Sequence, residues 1–268
     1  MIFFFFYKFV LAPKREAALV AATERKLEEK SAARTKSKAS AKTIAVLPFV
    51  DMSKAKDQEY FSDGLAETTL DMLSRVPDLK VISRTSSFAF KGKPMDVREI
   101  GKKLGVAHIL EGSVQQSGDT LRITAQLVRT SDGAHLWSKQ YDRRMADIFQ
   151  IQDEVATEVV IAIQGALPAA DQQRMIGQNT GNVAAYQEYL KGIALLPGRK
   201  VEDMRKAVAH FERAIALDPG YGRAYAMAAI ALGLLGEYTA DTPEMIGRRD
   251  RYIDRALELS PGLGEAHI

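Results

Sequence analysis

Apolar and polar positions along this chain change period twice, and each change marks a new kind of structure. From Lys14 to Lys42 large apolar residues are almost absent among Ala, Lys, Arg, Glu and Ser. Such a stretch cannot bury a core and reads as a charged linker over residues 13–42. At TIAVLPFV (Thr43–Val50) the pattern becomes β-rich, with Pro48 marking the end of the strand or a sheet edge. Helical spacing follows in Phe61, Leu65, Thr69, Met72, Leu73 and Val76, and Pro77 stops it. LKVISR (Leu79–Arg84) predicts a second strand. DVREIGKKL predicts a second helix, with Pro94 in its first turn and Gly105 just past its end.

Strict alternation then predicts a meander. VAHILEGSVQQ, TLRITAQLVR and AHLWSKQYD are separated by the turn triplets Ser117-Gly118-Asp119 and Ser131-Asp132-Gly133. In the middle strand Leu121, Ile123, Ala125 and Leu127 alternate with Arg122, Thr124 and Gln126, so one face is buried and the other meets water. A third helix carries Ile148, Ile151, Val155, Val159 and Ile163 on one side. The predicted order β-α-β-α-β-β-β-α is a compact α/β module with a mixed sheet, over residues 43–168.

Beyond Pro168 the pattern is helical throughout and repeats. In KAVAHFERAIALDP, Ala207, Phe211, Ala214 and Pro219 have the spacing of the second helix of a tetratricopeptide repeat, where small residues permit close approach and an aromatic fills the gap. Leu190, Ile193 and Ala194 fit the preceding helix with one residue inserted. Tyr225, Ala228, Ala229 and Leu232 fit the next first helix. Ile253, Ala256 and Pro261 fit the second helix of that repeat after eight extra residues around YTADTPEM, with Arg249 at an expected small position. The prediction over 183–268 is an all-α array of two repeats, with GLGEAHI opening a third.

Composition narrows the chemistry. At 268 residues, 46% hydrophobic and 26% charged, the chain is a folded protein with room for two domains. Its formal charge of +3 gives the folded part no electrostatic case for nucleic acid. Cysteine is absent, which excludes disulfide and thiol chemistry. MIFFFFYKFVLA is too short for a helical span of about 20 residues, and its Met1-Ile2-Phe3 start and Pro13-Lys14-Arg15 flank make a poor signal peptide. The preferred reading of residues 1–12 is part of a transmembrane helix or an anchor. An interfacial or core-docked segment and a mistranslated start on a cytoplasmic adaptor are the alternatives.

The stretch RTSSFAFKGKPMDVREIGKKLG, Arg84–Gly105, has the lysines, hydroxyls and glycines of a phosphate loop but not its spacing. Ser87 and Asp96 stand where the first Gly would be, and neither Gly-Lys pair is followed by Ser or Thr. The bland reading is a crossover in which Phe88 and Phe90 dock on the sheet, Lys91 and Lys93 stay solvated, and Ser86 and Ser87 cap turns. His108, His135, His210 and His267 form no ligand motif, and His108 reads as a packed strand residue. Gly112-Ser113 lacks the second Gly of a nucleophile elbow. Asp51, Asp57, Asp63 and Glu67 form a loose acidic set whose spacing matches no calcium loop and which suits a helix N-terminus instead. Catalytic, metal and cofactor residues are therefore predicted as none. Trp137 and Tyr141, aligned on one strand, and Tyr189 and Tyr225, on the helical repeats, are the candidate partner-binding residues.

Seven ordered segments carry a resemblance: IAVLPFVDMS, EYFSDGLAE, SRTSSFAFKGK, REIGKKLGVAHILEGSV, LRITAQLV, DGAHLWSKQYDR and DIFQIQDEVA. Together they resemble the TolB-like amino-terminal domain of bacterial membrane signalling proteins, over about Thr43–Leu167. The resemblance implies a module that follows a membrane helix and precedes tetratricopeptide repeats. In relatives the head is a class III adenylate or guanylate cyclase or a CadC-type DNA-binding domain. It implies a non-catalytic sensing or assembly role, protein or peptide partners held in the repeat groove, no nucleic acid bound by this chain, and inner-membrane anchoring. The alternative is a fragment of a cyclase or DNA-binding regulator. Two arguments on sidedness conflict. The resemblance implies the periplasm, whereas the Lys/Arg-rich stalk favours the cytoplasm, a bias that Glu16, Glu24, Glu28 and Glu29 soften; the periplasmic reading is preferred.

Overall fold

The computed structural model describes residues 41–176 and 180–261. The anchor at 1–12, nearly all of the linker, and the start of a third repeat at 262–268 lie outside them. From Thr43 onward the chain forms one compact unit.

Its sheet runs β3-β1-β4-β5-β6. The strands are β1 (Thr43–Val46), β2 (Val50–Asp51), β3 (Lys80–Val81), β4 (His108–Ser117), β5 (Thr120–Arg129) and β6 (His135–Arg144). β1 is parallel to both β3 and β4, while β4-β5-β6 is an antiparallel meander. The turns between the meander strands carry Gly118 and Gly133 at φ 59° and 75°, a region glycine enters without steric cost. The predicted single strand Thr43–Val50 is broken. Pro48 has no N–H for a ladder, and the chain rejoins β4 as β2, where Val50 pairs with Ser113. The second strand is shorter than Leu79–Arg84, because Arg84–Phe88 turns into a short helix.

Call the helices α1 (Glu59–Ser74), α2 (Arg84–Phe88), α3 (Val97–Leu104), α4 (Ile148–Gln164), α5 (Ala169–Ile176), α6 (Val183–Leu195), α7 (Val201–Leu217), α8 (Gly222–Tyr238) and α9 (Pro243–Leu259). α3 starts at an Asp96 cap that accepts from the Arg98 N–H at 2.8 Å, two residues later than Pro94, and ends on left-handed Gly105. Alternation along β1 separates two apolar layers. Ile44 and Val46 join the main core with α1 and α4, whereas Ala45 joins a small cluster with Ile100, Val106 and Ile109 under α3. The crossovers through α1 and α3 therefore lie on opposite faces of the sheet.

The helical half packs sequentially, α6 on α7, α7 on α8 and α8 on α9. Ala207, Phe211 and Ala214 are all fully buried, as their spacing predicts. The main core does not stop at residue 168. It runs from Ile44 through Val155 and Tyr186 to Phe211 and Ala231. α1 makes the join. The Tyr186 hydroxyl lies 2.9 Å from the Thr68 hydroxyl and accepts from Gln152 Nε2 at 2.6 Å. Arg223, with a side chain only 7% exposed, reaches Asp71 at 2.7 Å, and Asp71 also holds Arg75 at 2.6 Å. Gly64 on α1 leaves room for Leu190, whose methyl groups occupy the space a Cβ would need.

Candidate functional site

A cleft of about 880 Å³ opens beyond the carboxyl end of β1, beside β4 and β5. One wall is the interrupted strand, Leu47–Asp51, continued by Lys56 and Glu59. The facing wall is the crossover Phe90–Met95, and β4 and β5 contribute Glu111, Ser113, Thr124 and Gln126. The position follows from topology. β1 stops before Pro48 and the chain rejoins β4 as β2, and this interruption faces the crossover Phe90–Met95 across the cleft. Gly112 keeps the cleft wall thin, since a Cβ there would meet the Thr124 carbonyl oxygen and come within 3.0 Å of the Phe49 ring.

The charged groups near the cleft sort into tied and untied ones. Asp51 accepts from the Ser53 N–H at 2.8 Å and the Gln58 N–H at 2.9 Å. Burial opposes its ionisation, but these hydrogen bonds win and hold its carboxyl below the usual range. Lys91 pairs with Glu59 at 2.6 Å and with Asp63. Glu67 is half-buried, which pushes its carboxyl up, and Arg84 at 2.7 Å counters that rise. The acidic set Asp51, Asp57, Asp63 and Glu67 is thus divided among separate partners, and no group of three metal-ligating side chains occurs among the described residues. Lys91 is ion-paired rather than merely solvated. The Lys93 ammonium lies 5.9 Å from the Phe90 ring centroid. The serine reading also needs correction. Ser87 is buried and its hydroxyl has no partner among the described residues, while Ser86 accepts from the Ser83 hydroxyl at 3.2 Å.

The four aromatic candidates do not come together. Tyr141 is buried on the side of β6 that faces α4, where burial pushes its hydroxyl up to about 12. Trp137 is half-buried beside it and donates to Glu158 at 2.7 Å, a carboxylate that also takes Lys139 at 2.6 Å. Tyr189 is buried between Phe211 and Tyr221, with ring centroids at 5.9 and 5.2 Å. Tyr225 is half-buried, edge-on to Tyr252 at 5.9 Å in the α8–α9 contact. Tyr141 and Tyr189 are therefore core residues with no surface for a partner; alternation and helical spacing located the right faces, and those faces point inward. The cleft residues Leu47, Lys56, Met95 and Ile100 were not singled out from sequence. The one signal that pointed to them was the lysine-and-glycine run after the second strand. His108 is buried with Nδ1 3.2 Å from the Thr43 carbonyl, and burial pulls its pKa down.

Two carboxyls outside the cleft respond to pH in opposite senses. On α6 and α7, Glu188 is partly buried, which would raise its pKa. Hydrogen bonds from Lys191, Arg213 and His210 outweigh that and hold it at about 2. Its contribution is complete above its unfolded value and is lost as pH falls toward about 2. Asp153 on α4 is the reverse case, because burial alone raises it to about 6. A raised carboxyl binds more protons folded than unfolded, so it weakens the fold as pH rises from about 4 to 6. Asp153→Asn is expected to stabilise the protein by about 1 kcal/mol at pH 7, after allowance for partial exposure, with no gain near pH 3. Urea midpoints at the two pH values check this.

Residues 40–158 match the second domain of HilA/YgeH-like transcriptional regulators. The same residues contain the seven segments that carried the TolB-like resemblance. The chain is also 38% identical over 228 residues to the putative adenylate cyclase 3 of Rhizobium meliloti (strain 1021), a match covering 84% of this chain and 39% of that protein. The chain thus spans about two fifths of the length of that curated relative. Solved structures with similarity include TolB from Acinetobacter baumannii, 17% identical, TM-score 0.36, covering 47% of this chain and 29% of that one. Lipoprotein GNA1162 from Neisseria meningitidis is 22% identical, TM-score 0.33, with coverage of 38% and 80%. The LpoB C-terminal domain from Salmonella enterica is 12% identical, TM-score 0.33, with coverage of 39% and 84%. No described helix is long and apolar enough to cross a membrane.

Proposed function

We propose that this chain is the non-catalytic sensing and interaction part of a bacterial signalling protein. The observation that carries the reading is the 38% identity, over most of this chain, with a minority of a much longer putative adenylate cyclase. The match to a regulator domain fits the same use, since one module can serve beneath a cyclase head or a DNA-binding head. On this reading the head's chemistry belongs to other parts of the longer relatives, and residues 43–261 receive a signal and pass it through a continuous core. The four helices α6–α9 serve as two tetratricopeptide repeats, whose stacked hairpins offer a groove to protein or peptide partners. Residues 1–12 anchor the chain at the inner membrane, with the folded part in the periplasm.

Two measurements test the reading. The purified chain is expected neither to hydrolyse nor to cyclise ATP or GTP, because no phosphate-loop spacing occurs in its sequence. Turnover that tracks the protein through repurification would make it an enzyme. The full chain is expected in the membrane fraction and a version from Thr43 in the soluble one; equal partitioning would remove the anchor.

A further inference from the structure

We propose that the outer edge of β6 docks a second copy of this chain, the two strands pairing antiparallel about a two-fold axis at Gln140 so that the two sheets join. This does not depend on the signalling role or on what enters the cleft. β6 ends the sheet order and is 10 residues long, with no strand on its far side among the described residues. At the other end of the order β3 has only 2 residues. A long open edge is a template for pairing, and one that stays single is commonly blunted by proline, a bulge or an inward charge. Trp137–Arg144 contains no proline, and the irregularity of the β5–β6 ladder lies at one end, at Leu127/Val128. Lys139, the charge on the α4 side, is tied down by Glu158 at 2.6 Å and Glu154 at 3.6 Å.

The ladder fixes which backbone groups face outward. The Met145 N–H donates to the Asp119 carbonyl at 2.9 Å, which sets the hydrogen-bonded pairs of the register at Leu121↔Arg143, Ile123↔Tyr141 and Ala125↔Lys139. Odd residues of β6 therefore turn their N–H and C=O groups to β5. Ser138, Gln140 and Asp142 turn theirs away from the sheet, while the Arg144 N–H donates to Asp147 at 3.3 Å. With the axis at Gln140, these three residues meet their counterparts in about six backbone hydrogen bonds.

Side chains select the occupant and the register. Directly opposed residues share a face, and like charges there are destabilising. An axis at Lys139 would oppose two lysines, one at Tyr141 would set Lys139 against Arg143, and one at Asp142 would oppose two aspartates. An axis at Ser138 leaves Asp142–Arg144 outside the ladder. The axis at Gln140 avoids each of these. Ser138 then faces Asp142, Lys139 falls opposite the buried Tyr141, and the half-buried Trp137 faces Arg143 as a cation on an aromatic ring. Asp142 already holds Arg122 at 2.5 Å and Gln140 at 2.7 Å, so the pairing strands no carboxylate. Because the strand carries both signs of charge, it favours neither an acidic nor a basic peptide and complements itself.

Cysteine cross-linking of the full chain tests the proposal, since the native sequence has no cysteine. Gln140→Cys sets two thiols across the axis at a Cα separation of about 5.5 Å, within disulfide reach, and copper phenanthroline is expected to convert the protein to a covalent dimer. Ser138→Cys and Asp142→Cys, each alone, lie about 14 Å from their own counterparts and should stay monomeric under oxidation. Co-expressed, those two variants should cross-link to each other. Gln140→Pro removes an N–H that β5 does not use, so the urea midpoint should hardly move, yet the yield from the Ser138→Cys and Asp142→Cys pair should fall by about tenfold. Absence of the Gln140→Cys dimer, cross-linking by Ser138→Cys or Asp142→Cys alone, or a pair yield indifferent to Gln140→Pro would overturn the assignment.

Discussion

Replacing Tyr186 with Ala is expected to cost about 3–5 kcal/mol and to loosen the sheet and the helical half together. Tyr186 is fully buried on α6, yet its contacts belong to the other half of the molecule. Its hydroxyl meets Thr68 on α1 and Gln152 on α4, and its ring sits edge-on to Phe149 at 5.3 Å. Removal would open a cavity at the join and leave Thr68 and Gln152 without that partner in a site that excludes water. Gln152 Oε1 already lacks a hydrogen bond among the described residues, so the network has nothing in reserve. Tyr186→Phe keeps the ring and should cost about 1 kcal/mol, which separates packing from hydrogen bonding. Native-state hydrogen exchange reads the outcome. Equal acceleration in Ile44–Val46, Leu121–Val128 and Ala185–Leu217 is expected from a shared core. Acceleration confined to residues 183–259 would mean that the helices unfold alone, with a domain boundary between 168 and 183.

Phe211→Ala should be equally damaging, about 3–5 kcal/mol, and its partner makes the test specific. Phe211 is fully buried on α7, against Tyr189 and against the face of α6 at Gly192. A Cβ on Gly192 would come within 2.6 Å of the Phe211 ring, so this glycine is what lets the ring approach α6 so closely. Gly192→Ala alone should therefore cost about 1–3 kcal/mol by overpacking. In the Phe211→Ala background the clash is gone and the usual helix preference for Ala returns, so the same change should stabilise by about 0.5–1 kcal/mol. Urea titrations of the four proteins give the cycle. A Gly192→Ala effect of the same sign in both backgrounds would mean that the glycine serves something other than the ring.

Periodicity carried much of this fold because burial repeats with the backbone. Leu121, Ile123, Ala125 and Leu127 alternate and are all fully buried on one face of β5. Ala207, Phe211 and Ala214 recur at helical spacing and face α7's neighbours. Turn chemistry was equally legible at Gly105, Gly118 and Gly133, where left-handed backbone leaves a sequence signature. Periodicity names a buried face without naming what covers it, however. Tyr189 and Tyr141 fell on regular stripes, and only packing revealed that Phe211 with Tyr221, and α4, cover them. Helix α5 falls in the stretch beyond Pro168 that reads as helical, but eight residues with one buried side chain, Met175, give too little period to set its bounds.

The cleft and the join between the halves were beyond the sequence for a related reason. Each brings together residues far apart in the chain, with no local pattern to betray them. The interrupted strand Leu47–Asp51 meets the crossover Phe90–Met95 around one cleft, and Asp71 meets Arg223 because α1 packs on both the sheet and the helical half. By itself the sequence determined the elements, their faces and the repeat in the helices, since these depend on local geometry and on the burial of one stripe at a time. The tertiary structure decided where the strand breaks to open a cleft, which charges pair, and that sheet and helices share one core. Those outcomes depend on long-range packing and on which of several nearby carboxylates each cation reaches first.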